Sequence, residues 1–280
     1  MRLRLAPFAL LSVAAIWGGA FVMMKDALKR QDVSSFLFTR FLIAFLAMIL
    51  VRPNIVRLLS KDLIVKGVIA GSFLGSGFIL QTFGLAKTTA AITGFITGLY
   101  VVATPLIAGV FLRQKISLRI WICVVIATIG LALLSLHGWS MGIGEILVLA
   151  SAVAYACHII ALGQWSLGRD AYAFTTIQLG TVTFICGIAS FARGYRAPPD
   201  AKVWEVVIFT ALFATVFAFF IQTWSQAHLS SSKIAVIISM EGVFAAFFAV
   251  VFGGETLTAQ KILGGLLVFV AMYMILLQNA

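Results

Sequence analysis

Four ionisable side chains stand inside or at the head of long apolar runs: Arg40 in "FLFTRFLIAFLAMIL", His158 in "AVAYACHIIAL", Lys233 in "SSSKIAVIIS" and Glu241 in "AVIISMEGVFAAFFAVVF". In hydrocarbon such groups are costly and face a cavity, a partner or a pathway. Glu241 lies near the middle of its run, too deep to reach the headgroups. Its carboxylate suits binding a substrate ammonium or carrying a proton, or, protonated, donating a hydrogen bond to a neighbouring helix. Arg40 lies about one and a half turns inside its run, near enough to the surface to snorkel and equally able to attract a substrate carboxylate. His158 is a hydrogen-bonded packing residue or a group that titrates near neutral pH. Lys233 reads as an interfacial anchor.

Hydroxyl groups extend this set. Thr89, Thr93, Thr97, Tyr100 and Thr104 recur at spacings of 4, 4, 3 and 4, which keeps them on one helical face. Ser151, Tyr155 and His158 do the same at spacings of 4 and 3. Such stripes line an aqueous path or bond neighbouring helices, the latter contributing about 0.6 kcal/mol per bond. Trp17 and the 24 phenylalanines offer stacking surfaces, most of them toward lipid.

The elements that position these residues are membrane spans. A helix crosses the hydrocarbon with about 20 mainly apolar residues. Runs of that kind fall near 6–24, 34–51, 63–84, 88–112, 118–137, 142–162, 172–192, 203–224, 229–253 and 258–278. Composition agrees: 62% of the 280 residues are hydrophobic and only 10% charged, against roughly 25% charged in soluble domains. The first run exceeds a signal-peptide core, which has about 7–15 residues. The net charge of +11 comes mostly from short loops, where lysine and arginine set topology. With no clustered basic face it implies no nucleic-acid partner. Nine basic residues (2, 4, 52, 57, 61, 66, 113, 115, 119) face four (25, 29, 30, 87) across the first half, which places both termini in the cytoplasm. Cys123, Cys157 and Cys186 are scattered within apolar runs and imply packing, not a disulfide or a metal site.

The chain repeats itself. Residues 81–117 align with 222–258 at a constant offset of 141, which pairs Gln81 with Gln222 and Tyr100 with Glu241. At an offset of 138, "AAIWGGAFVMM" faces "AVAYACHIIAL" and Arg40 faces Gln178. Five spans per copy is an odd number, so the copies enter the membrane in opposite senses, with a substrate site expected at the midplane between them. The expected architecture is all-helical: ten transmembrane helices as two inverted five-helix repeats, residues 1–138 and 139–280, around a central cavity. Gln81 and Gln222 are expected near opposite membrane faces, as gates or helix caps. Pro105 is expected to kink the fourth span and act as a hinge. Gly71 with Gly75, and Gly94 with Gly98, permit close helix approach.

The segments "AIWGGAFVMMKDAL", "TGLYVVATPLIAGVFLRQKIS" and "GGETLTAQKILGGLLVFVAMYMILL" resemble the EamA-type repeats of the drug/metabolite transporter superfamily, and the resemblance spans nearly the whole chain. Two departures stand out. The first repeat ends "LRQK" where such repeats often carry Leu-Gly-Glu, and Glu241-Gly242 replaces a frequent Glu-Pro, which makes Gly242 a candidate hinge.

The resemblance implies a bacterial inner-membrane exporter working by alternating access. The expected cargo is a small metabolite, amino acids first, handled by a monomer in the bilayer without a cofactor. Substrate contacts are expected from Trp17, Arg40, Thr97, Tyr100, Tyr155, His158, Gln178 and Glu241. A nucleotide-sugar carrier would want several cations at one depth, and a drug or cation carrier of the same fold is the other alternative. An intramembrane enzyme would need convergent catalytic groups, and no aspartate lies within a span. There is no G-x-x-x-x-G-K-[ST] loop for a nucleotide.

Overall fold

The computed structural model describes residues 2–135, 142–253, 256 and 258–276. These form ten helical rods: α1 (Arg2–Ala27), α2 (Val33–Val51), α3 (Lys61–Lys87), α4 (Ala90–Phe111), α5 (Leu118–Ser135), α6 (Ile143–Trp165), α7 (Ala171–Phe191), α8 (Ala201–Gln226), α9 (Ser231–Val251) and α10 (Ala259–Leu276). Eight carry windows long and apolar enough to cross a membrane, and α5 and α10 contain shorter apolar stretches. Each expected span has its rod, with ends displaced by a few residues. Gly254, Glu255 and residues 136–141 lie outside the described residues.

The rods start where short polar side chains satisfy their first amides. Asp32 accepts from Ser35 N at 3.0 Å, Ser60 from Leu63 N at 3.1 Å and Thr89 from Ile92 N at 3.2 Å. In the second half Asp170 accepts from Ala173 N at 2.8 Å and Asp200 from Val203 N at 3.1 Å. Asp32 and Asp170, and Ser60 and Asp200, are equivalent caps in the two repeats.

Packing obeys the same equivalence. α3 packs on α6 and α7, and its counterpart α8 packs on α1 and α2. α1 packs on α9 as α6 packs on α4. The remaining major contacts, α2 with α7, α4 with α9 and α5 with α10, join each rod to its own image. Small residues permit the tightest crossings, since lipid supplies no hydrophobic drive between helices. Gly67 and Gly71 seat α3 on α7, where an added Cβ would lie 2.6 Å from Ile177 and 2.7 Å from Thr181.

Two rods are broken at places that match to within one residue of the repeat. α4 divides at Leu99 (φ −64°, ψ −8°) into Ala90–Gly98 and Tyr100–Phe111, and α9 divides at Ser239 (φ −63°, ψ −13°) into Ser231–Ile238 and Met240–Val251. Tighter bonds replace the α ladder there: Val102 N to Leu99 O at 2.9 Å and Gly242 N to Ser239 O at 3.1 Å. The hinge expected at Pro105 lies six residues downstream of the observed break. Proline is not its cause, because α9 breaks equivalently with none inside. Gly98 and Gly242, which flank the two turns, weaken the helix there. Gly242 is also a contact, not only a flexible joint: its Cα lies 3.6 Å from a Cβ built on Gly94, so α4 and α9 cross closely beside their breaks.

Candidate functional site

Between the repeats lies a cavity lined by Trp17, Ala20, Phe21 and Met24 of α1, Arg40 of α2, Phe78 and Gln81 of α3, and Thr97 and Tyr100 of α4. The second repeat contributes Tyr155, His158 and Ile159 of α6, Phe219 and Gln222 of α8, and Ile238 and Glu241 of α9. Its volume is about 50 Å³. At about 10–15 Å³ per water, that is room for roughly three to five water-sized groups before anything moves.

The lining is a two-fold pattern written in sequence. Phe78 and Phe219, Gln81 and Gln222, Thr97 and Ile238, and Tyr100 and Glu241 are each 141 positions apart; Trp17 and Tyr155, Ala20 and His158, and Phe21 and Ile159 are each 138 apart. The ring contacts follow it. Trp17 meets Phe219 at 5.3 Å between centroids, and their counterparts Tyr155 and Phe78 meet at 5.7 Å.

Polar contacts break the symmetry. In one half, Tyr155 OH donates to Gln81 Oε1 at 2.9 Å, and Gln81 Nε2 donates to Thr97 Oγ1 at 3.0 Å. In the other, Ile238 replaces the threonine, and Trp17 Nε1 turns away to Ala214 O at 2.9 Å. Gln222 Oε1, Tyr100 OH and Glu241 Oε1 are left buried without a hydrogen-bond partner. Tyr100 and Glu241 couple electrostatically, but no hydrogen bond of good geometry joins them. Unpartnered buried polar atoms cost about 1–3 kcal/mol each, and three around one cavity mark the place for a ligand or water.

Arg40 is 2% exposed and Glu241 3%. Arg40 does not snorkel. Its Nε donates to Thr215 Oγ1 at 2.8 Å and its Nη2 to Ala214 O at 3.2 Å, while Nη1 meets Met24 Sδ at 3.4 Å. Phe78 and Phe41 lie 4.8 and 5.4 Å from its central carbon. Among the described residues, no ion pair includes Arg40 or Glu241. One cavity therefore holds a guanidinium and a carboxyl group not bonded to each other.

The other expected residues separate. Gln178 stands behind the lining, its Oε1 2.8 Å from His158 Nε2, so it orients the imidazole and does not face the cavity. Gln81 and Gln222, expected near opposite membrane faces, line the same cavity, because their helices run on for at least another turn to Lys87 and Gln226. Thr89 and Thr93 spend their hydroxyls on the start of α4, and Ser151 bonds Val148 O at 2.6 Å. Lys233 sits in the first turn of α9. Among the described residues no group of three or more His, Cys, Asp or Glu could hold a metal ion. The residues not anticipated are chiefly apolar: Ala20, Phe21, Met24, Phe78, Ile159, Phe219 and Ile238. Phe78 and Phe219 stand three positions before the paired glutamines, so extending the repeat that far would have found them.

Two helical repeats enclosing a buried cavity that carries a few ionisable and polar groups are the architecture of a multi-pass membrane transporter. The chain belongs to the EamA-like transporter family, which it matches over residues 4–136 and again over 142–277. It is 33% identical over 274 residues to an uncharacterized transporter of Archaeoglobus fulgidus, covering 98% of this chain and 86% of that one. It is 27% identical to the uncharacterized transporter YetK of Bacillus subtilis, covering 76% and 69% respectively. A solved structure, described only as the crystal structure of a protein, superposes with a TM-score of 0.77 over 96% of this chain and 95% of its own, at 13% identity, a likeness of fold.

Proposed function

We propose that this transporter exports small zwitterionic metabolites, amino acids foremost, from the cytoplasm across the bacterial inner membrane. The observation that carries this reading is that one small cavity buries both a guanidinium and a carboxyl group, Arg40 and Glu241, that do not pair with each other. A buried ionisable group that lacks an oppositely charged partner carries a desolvation cost of roughly several kcal/mol when ionised. An α-amino acid supplies the missing partner to both, its carboxylate to Arg40 and its ammonium to Glu241, which ionises against it. The unpartnered Tyr100 hydroxyl and Gln222 Oε1 supply further polar contacts. A phosphorylated cargo fits less well, since Arg40 is the one lysine or arginine on the lining.

Alternating access supplies the transport step. The repeat units 1–138 and 139–280 would rock about the crossing of α4 and α9, whose breaks lie next to Tyr100 and Glu241. With both termini cytoplasmic, the basic loops lie on the inner face. The test is efflux of a labelled amino-acid panel from proteoliposomes, with and without a pH gradient. Release of amino acids supports the proposal, and no release of any of them overturns it. Acceleration by an inward proton gradient would assign proton exchange to the site, and insensitivity to it would assign facilitated diffusion.

A further inference from the structure

We infer that Thr215 positions the guanidinium of Arg40, through a π-turn in α8 that the first repeat lacks, and so determines how strongly a substrate carboxylate is preferred. This rests on the proposal that Arg40 receives that carboxylate.

The π-turn occupies Leu212–Phe217, whereas the equivalent rod α3 is α-helical throughout Lys61–Lys87. Sequence numbering carries the same difference. The caps Ser60 and Asp200 are 140 positions apart, but Phe78 and Phe219 further along are 141 apart. One extra residue has entered α8 between them, and a π-turn is how a helix absorbs a single extra residue without unwinding, commonly at functional sites.

The extra residue changes the bonding at the cavity wall. Ala218 N bonds Phe213 O and Thr215 O, not the α-helical acceptor Ala214 O. Ala214 O instead accepts from Trp17 Nε1 and Arg40 Nη2. The Thr215 hydroxyl is fully buried and donates to Thr210 O at 2.8 Å, five residues back, which turns its lone pair toward Arg40 Nε at 2.8 Å. A guanidinium has five N–H groups. Thr215, Ala214 O and the Met24 sulfur engage one each on Nε, Nη2 and Nη1, leaving one N–H on each terminal nitrogen. Free N–H groups on a guanidinium are what a carboxylate accepts from. Thr215 touches no substrate in this arrangement. Its effect is to aim those two donors.

The test uses purified, full-length protein and two probes, L-alanine and L-alaninamide, which share an ammonium and differ in the carboxylate. The readout is the ratio of their affinities, so any misfolded fraction cancels. Wild type should prefer alanine. Thr215→Val should reduce the preference about tenfold, the effect of misdirecting a charge-assisted hydrogen bond. Thr215→Ala, a smaller change, tests the same loss should valine prevent folding, and Thr215→Ser, which keeps the hydroxyl, should hold the wild-type ratio. A wild-type ratio in both Thr215→Val and Thr215→Ala overturns the inference while leaving the proposed function standing if Arg40→Gln abolishes the preference. If Arg40→Gln also keeps the ratio, or wild type binds neither probe, the proposed function itself fails.

Discussion

The rings of Phe78 and Phe219 meet edge to face with centroids 5.7 Å apart, although 141 residues separate them in sequence. They are equivalent residues of the two repeats, so their contact marks where the pseudo-two-fold axis passes through the cavity wall. Trp17 and Tyr155 flank the pair, one on each ring. The four aromatic groups form a symmetric wall, while Arg40 and Glu241 occupy non-equivalent positions and make the polar part of the site directional.

The break in α4 does not depend on its proline. Pro105→Ala should keep the discontinuity at Leu99 and leave efflux within about twofold of wild type, since α9 breaks at Ser239 with no proline. Efflux from proteoliposomes and a crystal structure of the variant check this. A straightened α4 would return the hinge to Pro105.

Gly18 holds α1 against the part of α9 that carries Glu241. An added Cβ would lie 2.6 Å from Ala245 N and 2.8 Å from Glu241 O, contacts with backbone that cannot rotate aside. Gly18→Val should lower stability by about 1–3 kcal/mol through overpacking, read as a lower midpoint of thermal unfolding in detergent. Gly19→Ala should be milder, because its nearest neighbour is the Phe248 ring at 3.3 Å.

Arg113, just past the end of α4, has φ 52°, among the described residues the one non-glycine at positive φ. This is the left-handed region that glycine occupies at helix ends, which gives a backbone meaning to the sequence "LRQK" in place of Leu-Gly-Glu. Arg113→Gly should stabilise the protein by about 0.5–1 kcal/mol, seen as a raised unfolding midpoint. A lowered midpoint would mean that the arginine side chain contributes more than its backbone strain costs.

Asp170 couples the repeats through Arg52, at 2.8 Å. Burial opposes ionisation of its carboxyl, but the Ala173 amide, Arg52 and the Tyr172 amide outweigh it and hold the pKa below the usual 3.8. A depressed native pKa means that the contribution is fully present above the unfolded value and is lost as pH falls through the native one. Asp170→Asn keeps a capping side chain but loses the charge. At neutral pH it should cost under about 1 kcal/mol, as partly exposed pairs do, and the variant and wild type should converge only once pH falls below the native pKa of Asp170, itself under the usual 3.8. A difference that persists in acid would assign the effect to packing.

Periodicity and hydropathy make the rods legible, and the offsets 138 and 141 make legible most of the residues that share the cavity, because an inverted repeat puts equivalent residues at equivalent depth. Polar residues stand out against apolar helices, so Arg40, Tyr100, Tyr155, His158 and Glu241 are visible. Phe78 and Phe219 are not, since phenylalanine on a lipid-facing surface has the same sequence signature as phenylalanine on a cavity wall. Gln178 shows the converse: its polarity is visible, but its partner His158 is set by tertiary packing. The breaks at Leu99 and Ser239 escape notice because neither is proline or glycine. The π-turn leaves only a one-residue slip between offsets 140 and 141, legible once the helix caps are fixed.

The central claim is that Arg40 and Glu241 hold the two ends of one zwitterion. The most direct measurement is binding of L-alanine, L-alaninamide and N-acetyl-L-alanine to purified wild type, Arg40→Gln and Glu241→Gln. Wild type should bind alanine at least about tenfold better than either blocked analogue, each lost charge-assisted hydrogen bond being worth about 1.5–3 kcal/mol. Arg40→Gln should erase discrimination against the amide alone, and Glu241→Gln discrimination against the N-acetyl compound alone. Equal binding of all three ligands by wild type, or loss of both discriminations in each variant, would contradict the claim.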